Sequence, residues 1–108
     1  MAAVKQLAQV SPAAVTVTLL YTAPTLTTGV TCSSIFITNT NATAVTIRLS
    51  NAKAAAADAV TQYLYYDLTV QAKDTYTSTT GITLAQTDVL RCYASATGVN
   101  FTAFGVEE

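Results

Sequence analysis

Hydrophobic residues alternate with polar ones at every second position in short stretches of the chain, and turn residues separate these stretches. In the clearest stretch, Val45, Ile47 and Leu49 alternate with polar residues. Successive side chains of a β-strand point to opposite faces, so a period of two predicts strands with one buried face. A helix would instead repeat its apolar positions every 3.6 residues, so the pattern indicates an all-β fold.

Prolines, glycines and asparagines between the alternating stretches divide the chain into about eight predicted strands. This number of short strands, with turns at regular intervals, is typical of an antiparallel β-sandwich with a jelly-roll-like arrangement. We predict one such domain over residues 12–108. The predicted strands are 4–9, 15–21, 30–38, 44–50, 63–68, 74–80, 89–95 and 99–106.

Strict alternation also predicts which face each strand buries. In 15–21 the odd positions, from Val15 to Tyr21, are predicted to share the inner face. In 44–50 the even positions, including Ser50, are predicted to face water. The run Asn39–Ala42 is typical of a turn, so strands 30–38 and 44–50 are predicted to form a hairpin.

Strand 30–38 carries apolar residues on both predicted faces. Ile35 and Ile37 fall on one face, and Cys32 and Phe36 fall on the other. This pattern predicts a central strand that is covered on each side.

The segment 52–60, AKAAAADAV, has the highest helix propensity in the chain. It is too short to form a stable independent helix. We therefore predict a loop with about one helical turn.

Residues 1–11 are predicted to form either an N-terminal arm or an edge strand. Pro12 separates this segment from the regular strands, and Val4, Leu7 and Val10 fit a three-residue spacing. As an arm, the segment would pair with a neighbouring subunit and cover an open sheet edge. As an ordinary edge strand, it would pair within its own sheet.

Charged residues are scarce: they make up 10% of the chain, against 51% hydrophobic residues, whereas about 25% charged residues are usual. A neutral surface of this kind favours packing against copies of the same chain. The net charge is −1 and the basic residues are scattered, which argues against nucleic-acid binding. No apolar run approaches the length of a membrane span, and no secretory signal begins the chain, so synthesis in a bacterial cytoplasm is expected.

The residue types needed for common catalytic sites are missing. The chain contains no histidine, so a catalytic serine or cysteine would lack its usual base. Cys32 and Cys92 are predicted to be buried free thiols, with a disulfide between them or to a neighbouring subunit as the alternative. We expect neither an enzyme nor a bound cofactor.

Three aspartates lie at predicted strand ends or turn starts. Asp67, Asp74 and Asp88 are predicted to cap backbone amides there. A calcium site built from two of them is the alternative, but the spacing of a known calcium loop is absent. We therefore expect no metal.

The segment YLYYD holds three tyrosines, Tyr63, Tyr65 and Tyr66. One interpretation is a core strand with amphipathic edges. The other is an interface or a saccharide-stacking patch, because tyrosine combines apolar area with a polar tip. With Val4, Leu7 and Val10, these tyrosines are the candidate interface residues.

Seven segments, in their order along the chain, resemble a family of small all-β structural proteins of tailed-bacteriophage virions. The resemblance covers most of the chain from about Lys5 and implies a place in the particle, without any catalytic residue. The sequence departs from the family at 51–61, where an alanine run replaces an expected loop containing Arg-Pro-Ala-Gly. The segments are LYTAP, SIFITN, YLYYD, DTYT, GITL, TDVLRCYAS and FTAFG.

The expected function is that of a virion structural protein. The leading hypothesis is a capsid decoration or cement protein, which forms a homo-oligomer such as a trimer on the head and clamps major capsid subunits. One alternative is a tail, baseplate or fibre-base domain for host attachment, in which the tyrosines contact a partner or glycan. Another is a carbohydrate-binding module.

Overall fold

The computed structural model describes residues 4–24, 29–79 and 81–107, and the chain there is built from β-strands and two short 3-10 turns. The 3-10 turns, η1 (Lys53–Ala55) and η2 (Val60–Gln62), lie in the alanine-rich segment, where a loop with one helical turn was predicted. The strands are β1 (Val4–Val10), β2 (Thr18–Thr22), β3 (Val30–Asn39), β4 (Val45–Ala52), β5 (Tyr63–Val70), β6 (Thr75–Ser78), β7 (Ile82–Leu84), β8 (Val89–Ala94) and β9 (Val99–Glu107).

The strands form two antiparallel sheets that pack face to face. Sheet A has the order β1-β9-β3-β6, with β7 also paired to β3, and sheet B has the order β2-β8-β4-β5. The strands pair as in one long antiparallel ribbon that is folded over itself: β1 pairs with β9, β2 with β8, β3 with β6 and β7, and β4 with β5. This is the jelly-roll arrangement. The predicted all-β sandwich is therefore confirmed.

The core fills the space between the two sheets. Sheet A contributes Phe101, Ile35 and Ile37, and sheet B contributes Leu49 and Leu90, each with no more than 1% of its surface exposed. Burying one such side chain contributes about 1.5–3 kcal/mol. Burial between sheets is thus the main stabilising term of this helix-poor fold.

The predicted hairpin between the third and fourth strands is wrong, because β3 belongs to sheet A and β4 to sheet B. The chain crosses between the sheets after Asn39, whose buried amide Nδ2 donates hydrogen bonds to the carbonyls of Thr43, Val70 and Gln71. Its Oδ1 accepts from the amide of Asn41. These bonds hold two sheet-to-sheet connections together, which local turn chemistry does not reveal.

The predicted inner face of 15–21 is also wrong. Val15, Val17 and Leu19 are exposed, and both Leu20 and Tyr21 are buried. The register against β8 shifts between Leu19 and Tyr21, so a β-bulge brings two consecutive residues inward.

A second bulge changes the faces of β3. The register against β9 shifts between Cys32 and Ser34. As a result Cys32 shares the buried face with Ile35, while Phe36 is 39% exposed and packs edge-to-face on Phe104. The prediction that both faces of this strand are covered is therefore wrong.

Strand β1 forms the edge of its own sheet, which is one of the two predicted alternatives. It pairs with β9 from Val4 opposite Val106 to Val10 opposite Phe101. Leu7 and Val10 pack against the core. The side chain of Val4 and residues 1–3 lie outside what the structure describes, and pairing with a neighbouring subunit stays a prediction.

Glu107 ties β1, β2 and β9 together at this edge. It accepts hydrogen bonds from Lys5 of β1 at 2.5 Å and from the hydroxyl of Tyr21 of β2. Lys5 and then Tyr21 hold the pKa of Glu107 below its ordinary value of 4.5. Since the folded chain binds this proton more weakly than the unfolded chain, the stabilisation is present above that value and is lost as the pH falls through the lower folded value.

We therefore expect the urea midpoint to fall as the pH is lowered from about 5 to about 3. In Glu107→Gln the fall should be smaller, since this carboxylate no longer titrates. Lys5→Gln should reduce it similarly, because the main cause of the pKa shift is removed. Equal falls in wild type and Glu107→Gln would contradict the role assigned to this edge cluster.

Both cysteines are buried and free. Burial raises the pKa of Cys92 to about 12 and also raises the pKa of Cys32, so neither thiol ionises at neutral pH. We expect a thiol reagent to label both groups in the denatured chain and neither in the native chain. An unlabelled chain after alkylation without reduction, with a mass two hydrogens below that of the reduced chain, would instead indicate a disulfide.

Across residues 4–24, 29–79 and 81–107, no helix has the length and apolar character needed to cross a membrane.

The sixth strand, predicted to reach residue 80, ends at Ser78, and residue 80 itself is outside the described part of the chain.

Candidate functional site

The outer face of sheet B carries a cluster of tyrosine and arginine side chains. In β8, Leu90, Cys92 and Ala94 point into the core, so Arg91 and Tyr93 point outward. Arg48 of β4 lies directly opposite Tyr93 and shares its face. We call this surface the Arg–Tyr face; it consists of Arg48, Tyr63, Tyr66, Arg91 and Tyr93.

Arg48 lies at the centre of the face, between two tyrosine rings. Its guanidinium carbon is 4.2 Å from the ring centroid of Tyr66 and 4.4 Å from that of Tyr93. Nε and Nη2 donate to the two carboxylate oxygens of Asp67, at 2.7 and 3.3 Å. This ion pair raises the pKa of Arg48. Arg48 therefore stays positively charged, and its charge is already paired with Asp67 and stacked on the two tyrosine rings.

A β-bulge in β5 brings Asp67 to Arg48. The register between β4 and β5 shifts on both sides of Leu49, and Asp67 has a φ of 56°. Left-handed backbone is costly for a residue with a Cβ, and aspartate tolerates it better than most. The extra residue lets the neighbours Tyr66 and Asp67 both reach the same guanidinium.

Tyr63 extends the cluster toward the alanine-rich loop. Its ring packs edge-to-face on Tyr66, with centroids 5.1 Å apart, and its hydroxyl donates to Asp58 at 3.2 Å. Burial, and then the Asp58 carboxylate, raise the pKa of Tyr63. Tyr63 therefore remains neutral and acts as an apolar wall with a fixed hydroxyl.

A second row crosses the sheet beside Arg48. Leu19 of β2, Arg91 of β8, Ser50 of β4 and Tyr63 of β5 are successive cross-strand partners. Ser50 shares the outer face with Arg48 but is fully buried, so the prediction that it faces water is wrong. It lies between the longer side chains of Arg91 and Tyr63. Among the described residues, neither the hydroxyl of Ser50 nor Nη1 of Arg91 has a hydrogen-bond partner, although both atoms are buried.

Removing the hydroxyl of Ser50 is expected to leave the fold as stable or to stabilise it by about 1 kcal/mol, because an unpaired buried polar group costs free energy. Ser78→Ala is the matched control: Ser78 is also buried, but its hydroxyl hydrogen-bonds Tyr65 at 2.7 Å. That variant should lose about 1 kcal/mol. Urea denaturation measures both, and equal losses would contradict the unpaired state of Ser50.

The three predicted tyrosines separate in the structure. Tyr63 and Tyr66 lie on the Arg–Tyr face, whereas Tyr65 packs edge-to-face on Tyr76 and against the core. Leu7 and Val10 lie at the opposite sheet, on β1. The predicted interface residues did not include Arg48, Arg91, Tyr93 or Ser50, although Arg91 and Tyr93 are spaced by two in a predicted strand.

The aspartates predicted to cap backbone amides behave differently from one another. Asp88 accepts from the amides of Ala54 and Ala85, which lower its pKa, and Asp74 accepts from the amide of Thr75. Asp67 instead pairs with Arg48. Within the part of the chain that the structure describes, no three acidic, histidine or cysteine side chains gather into a group that could hold a metal ion.

Three exposed aliphatic side chains lie close together along the chain at the β2 edge of the sandwich. Val15 is 67% exposed, Leu19 54% and Val17 38%. They fall within five residues of chain and adjoin the Leu19 end of the Arg91–Ser50 row. We call these three residues the β2 apolar edge.

No protein-family model matches the sequence, and no curated protein matches it either. The interpretation of the surfaces therefore depends on their chemistry.

Proposed function

We propose that this protein is a structural subunit of a bacteriophage particle and acts as a capsid decoration or cement protein. It would form a homo-oligomer on the head, contact the major capsid protein and stabilise the junctions between capsid subunits. No catalytic step or cofactor belongs to this proposal.

The observation that carries the proposal is the β2 apolar edge. A chain of this size gains nothing for its own fold from three aliphatic side chains in water, and such patches mark contact surfaces. Burying them between subunits would contribute about 25 cal/mol for each Å² removed from water. Assembly by symmetry repeats that modest contribution many times over a particle.

Fold and charge add support. Jelly rolls recur in viral capsid proteins and in lectins. With 10% charged residues, the surface offers few charges that would have to be desolvated in a contact between subunits. A fold alone does not define a function, so this support is by analogy.

The test replaces Leu19 with lysine and uses Thr22→Lys as the matched control, since Thr22 is an exposed residue of the same strand outside the β2 apolar edge. Both variants add the same charge to the same edge. We expect wild type and Thr22→Lys to sediment as oligomers or to bind purified capsids, and Leu19→Lys to lose association while keeping its thermal midpoint. A wild-type protein that stays monomeric and binds no particle would refute the proposal.

The Arg–Tyr face favours a second candidate, a tail, baseplate or fibre-base subunit involved in host attachment. Tyrosine and arginine are enriched at the centres of protein interfaces. Copy number separates the candidates: hundreds per particle support the head, and about a dozen support the tail. A carbohydrate-binding module is the third alternative, and glycan binding without any particle association would favour it.

A further inference from the structure

Sheet B has a free strand at each of its two sides. Among the described residues, β2 pairs only with β8, and β5 pairs only with β4. A free strand presents a row of unpaired backbone N–H and C=O groups, which natural proteins commonly protect with charged residues or prolines. β2 carries neither, and the one charged residue of β5 is Asp67, which is paired with Arg48. Both sides of the sheet are therefore open to a further strand.

Exposed apolar side chains lie at both of these sides. Opposite the β2 apolar edge, Val60 in the turn that leads into β5 is 76% exposed, Tyr66 53% and Leu64 47%. We call these three residues the β5 apolar edge. The two edges together hold six of the seven large exposed hydrophobic residues in the part of the chain that the structure describes. Exposed apolar surface is thus gathered at the two sides of one sheet.

The strand directions make the two sides fit each other. β2 is antiparallel to β8, β8 to β4, and β4 to β5, so β5 runs opposite to β2. A second copy in the same orientation can therefore place its β5 beside the β2 of the first as an antiparallel neighbour. Sheet B would continue across the contact with its alternation of strand direction unbroken, and one apolar edge would cover the other.

We propose that copies of this chain associate head to tail, with the β2 apolar edge of one copy packed against the β5 apolar edge of the next. Backbone hydrogen bonds between the two free strands add to the burial of the apolar side chains. A contact through β2 alone, about a two-fold axis, would leave the β5 apolar edge in water. The inference rests on the proposed function and deepens it, because it names the partner of the β2 apolar edge.

The head-to-tail arrangement determines how many chains assemble. Two copies joined in this way still have one free edge each, so assembly continues until a ring closes or a filament forms. We therefore expect wild type to contain three or more chains. A contact about a two-fold axis would instead stop at two.

Analytical ultracentrifugation tests the contact at chain concentrations of up to about 1 mM, where even a weak contact is detected. Leu64→Lys places a charge in the β5 apolar edge and should leave only monomers, as Leu19→Lys should. Thr69→Lys should assemble like wild type and is the matched control, because Thr69 is an exposed residue of β5 outside that edge. Val60→Lys is a second variant of the same edge and should also stay monomeric. All four residues are exposed or lie at the surface, so the thermal midpoints of the monomeric variants should agree with one another.

Mixing two variants gives a result that only a head-to-tail contact produces. Leu19→Lys keeps an intact β5 apolar edge, and Leu64→Lys keeps an intact β2 apolar edge. An equimolar mixture should therefore form dimers with one chain of each variant and nothing larger. A mixture that stays monomeric, a Leu64→Lys protein that assembles like wild type, or a wild type that stops at dimers would each overturn the proposal.

Capsid binding distinguishes this inference from the proposed function. If wild type and Leu64→Lys bind capsids equally well and the mixture stays monomeric, the head-to-tail contact fails and the structural role stands. If wild type and the mixture assemble as expected but no form of the protein binds a capsid or a tail, the virion role fails and the head-to-tail contact stands. Expected assembly together with capsid binding that Leu64→Lys weakens supports both.

Discussion

Replacing Gly105 with alanine is expected to destabilise the protein by about 3 kcal/mol or more, the upper range for overpacking a core. A Cβ at this position would come 2.1 Å from the carbonyl oxygen of Thr31 and 2.8 Å from Cα of Cys32. Both are backbone atoms of β3, which is paired with β9 along its length. The strands would have to separate at the middle of sheet A to admit one methyl group.

Gly29→Ala is the matched control, because a Cβ there would meet the carbonyl oxygen of Leu84 at an ordinary van der Waals distance of 3.4 Å. We expect a change within about 1 kcal/mol. Circular dichroism with urea denaturation compares the two. If Gly105→Ala unfolded at the same urea concentration as Gly29→Ala, the close approach of β9 to β3 would be contradicted.

Replacing Asn39 with aspartate is expected to cost about 3 kcal/mol or more, since it removes the hydrogen-bond donors from a buried hub. The amide Nδ2 serves the carbonyls of Thr43, Val70 and Gln71 at 2.9–3.2 Å. An aspartate would present a carboxylate oxygen to the same three carbonyls. The charge would be unfavourable, and protonation would restore at most one donor.

Acidification provides a specific check on this variant. Because the charged form of the buried aspartate is disfavoured, Asn39→Asp should regain part of its stability as the pH is lowered. Asn100→Asp is the control, since Asn100 is a half-buried residue of β9 and is the cross-strand partner of Thr38 in β3. Its loss should stay within about 1 kcal/mol. Equal losses in the two variants would show that the Asn39 hub does not hold the sheets together.

Local pattern predicted the strands well and their partners poorly. The stretch with Val45, Ile47 and Leu49 buries the residues that alternation assigns to the core. Alternation fails where a bulge inserts a residue, at Leu20 and at Ser33, because a one-residue slip moves all later side chains to the other face. A bulge depends on the partner strand, and the partner is not written in the local sequence.

Connectivity was hidden for a related reason. Asn39 has the chemistry of a turn residue, and it does begin a change of direction. Two of its other bonds reach residues about thirty positions away along the chain, Val70 and Gln71, and those bonds decide that the chain crosses to the other sheet. The local sequence around Asn39 would look the same for a hairpin and for a crossing between the sheets.

The candidate site was predictable only in part. The density of tyrosine in β5 drew attention to the correct sheet, but the bulge at Asp67 decides that Tyr66 faces Arg48 while Tyr65 faces the core. The unpaired state of Ser50 and Arg91 depends on four strands meeting in one row. Such a property exists only once the sheet is assembled.

The position of β9 has a consequence for how the chain is made. β9 is the last of the nine strands in chain order among the described residues, yet it lies in the interior of sheet A, between β1 and β3. While a ribosome is still synthesising the residues before 99, strands β1 and β3 have no partner along the edges that β9 will fill. The nascent chain therefore carries two open strand edges until residues 99–107 have been made, and it depends on rapid closure or on chaperones to avoid pairing with other nascent chains.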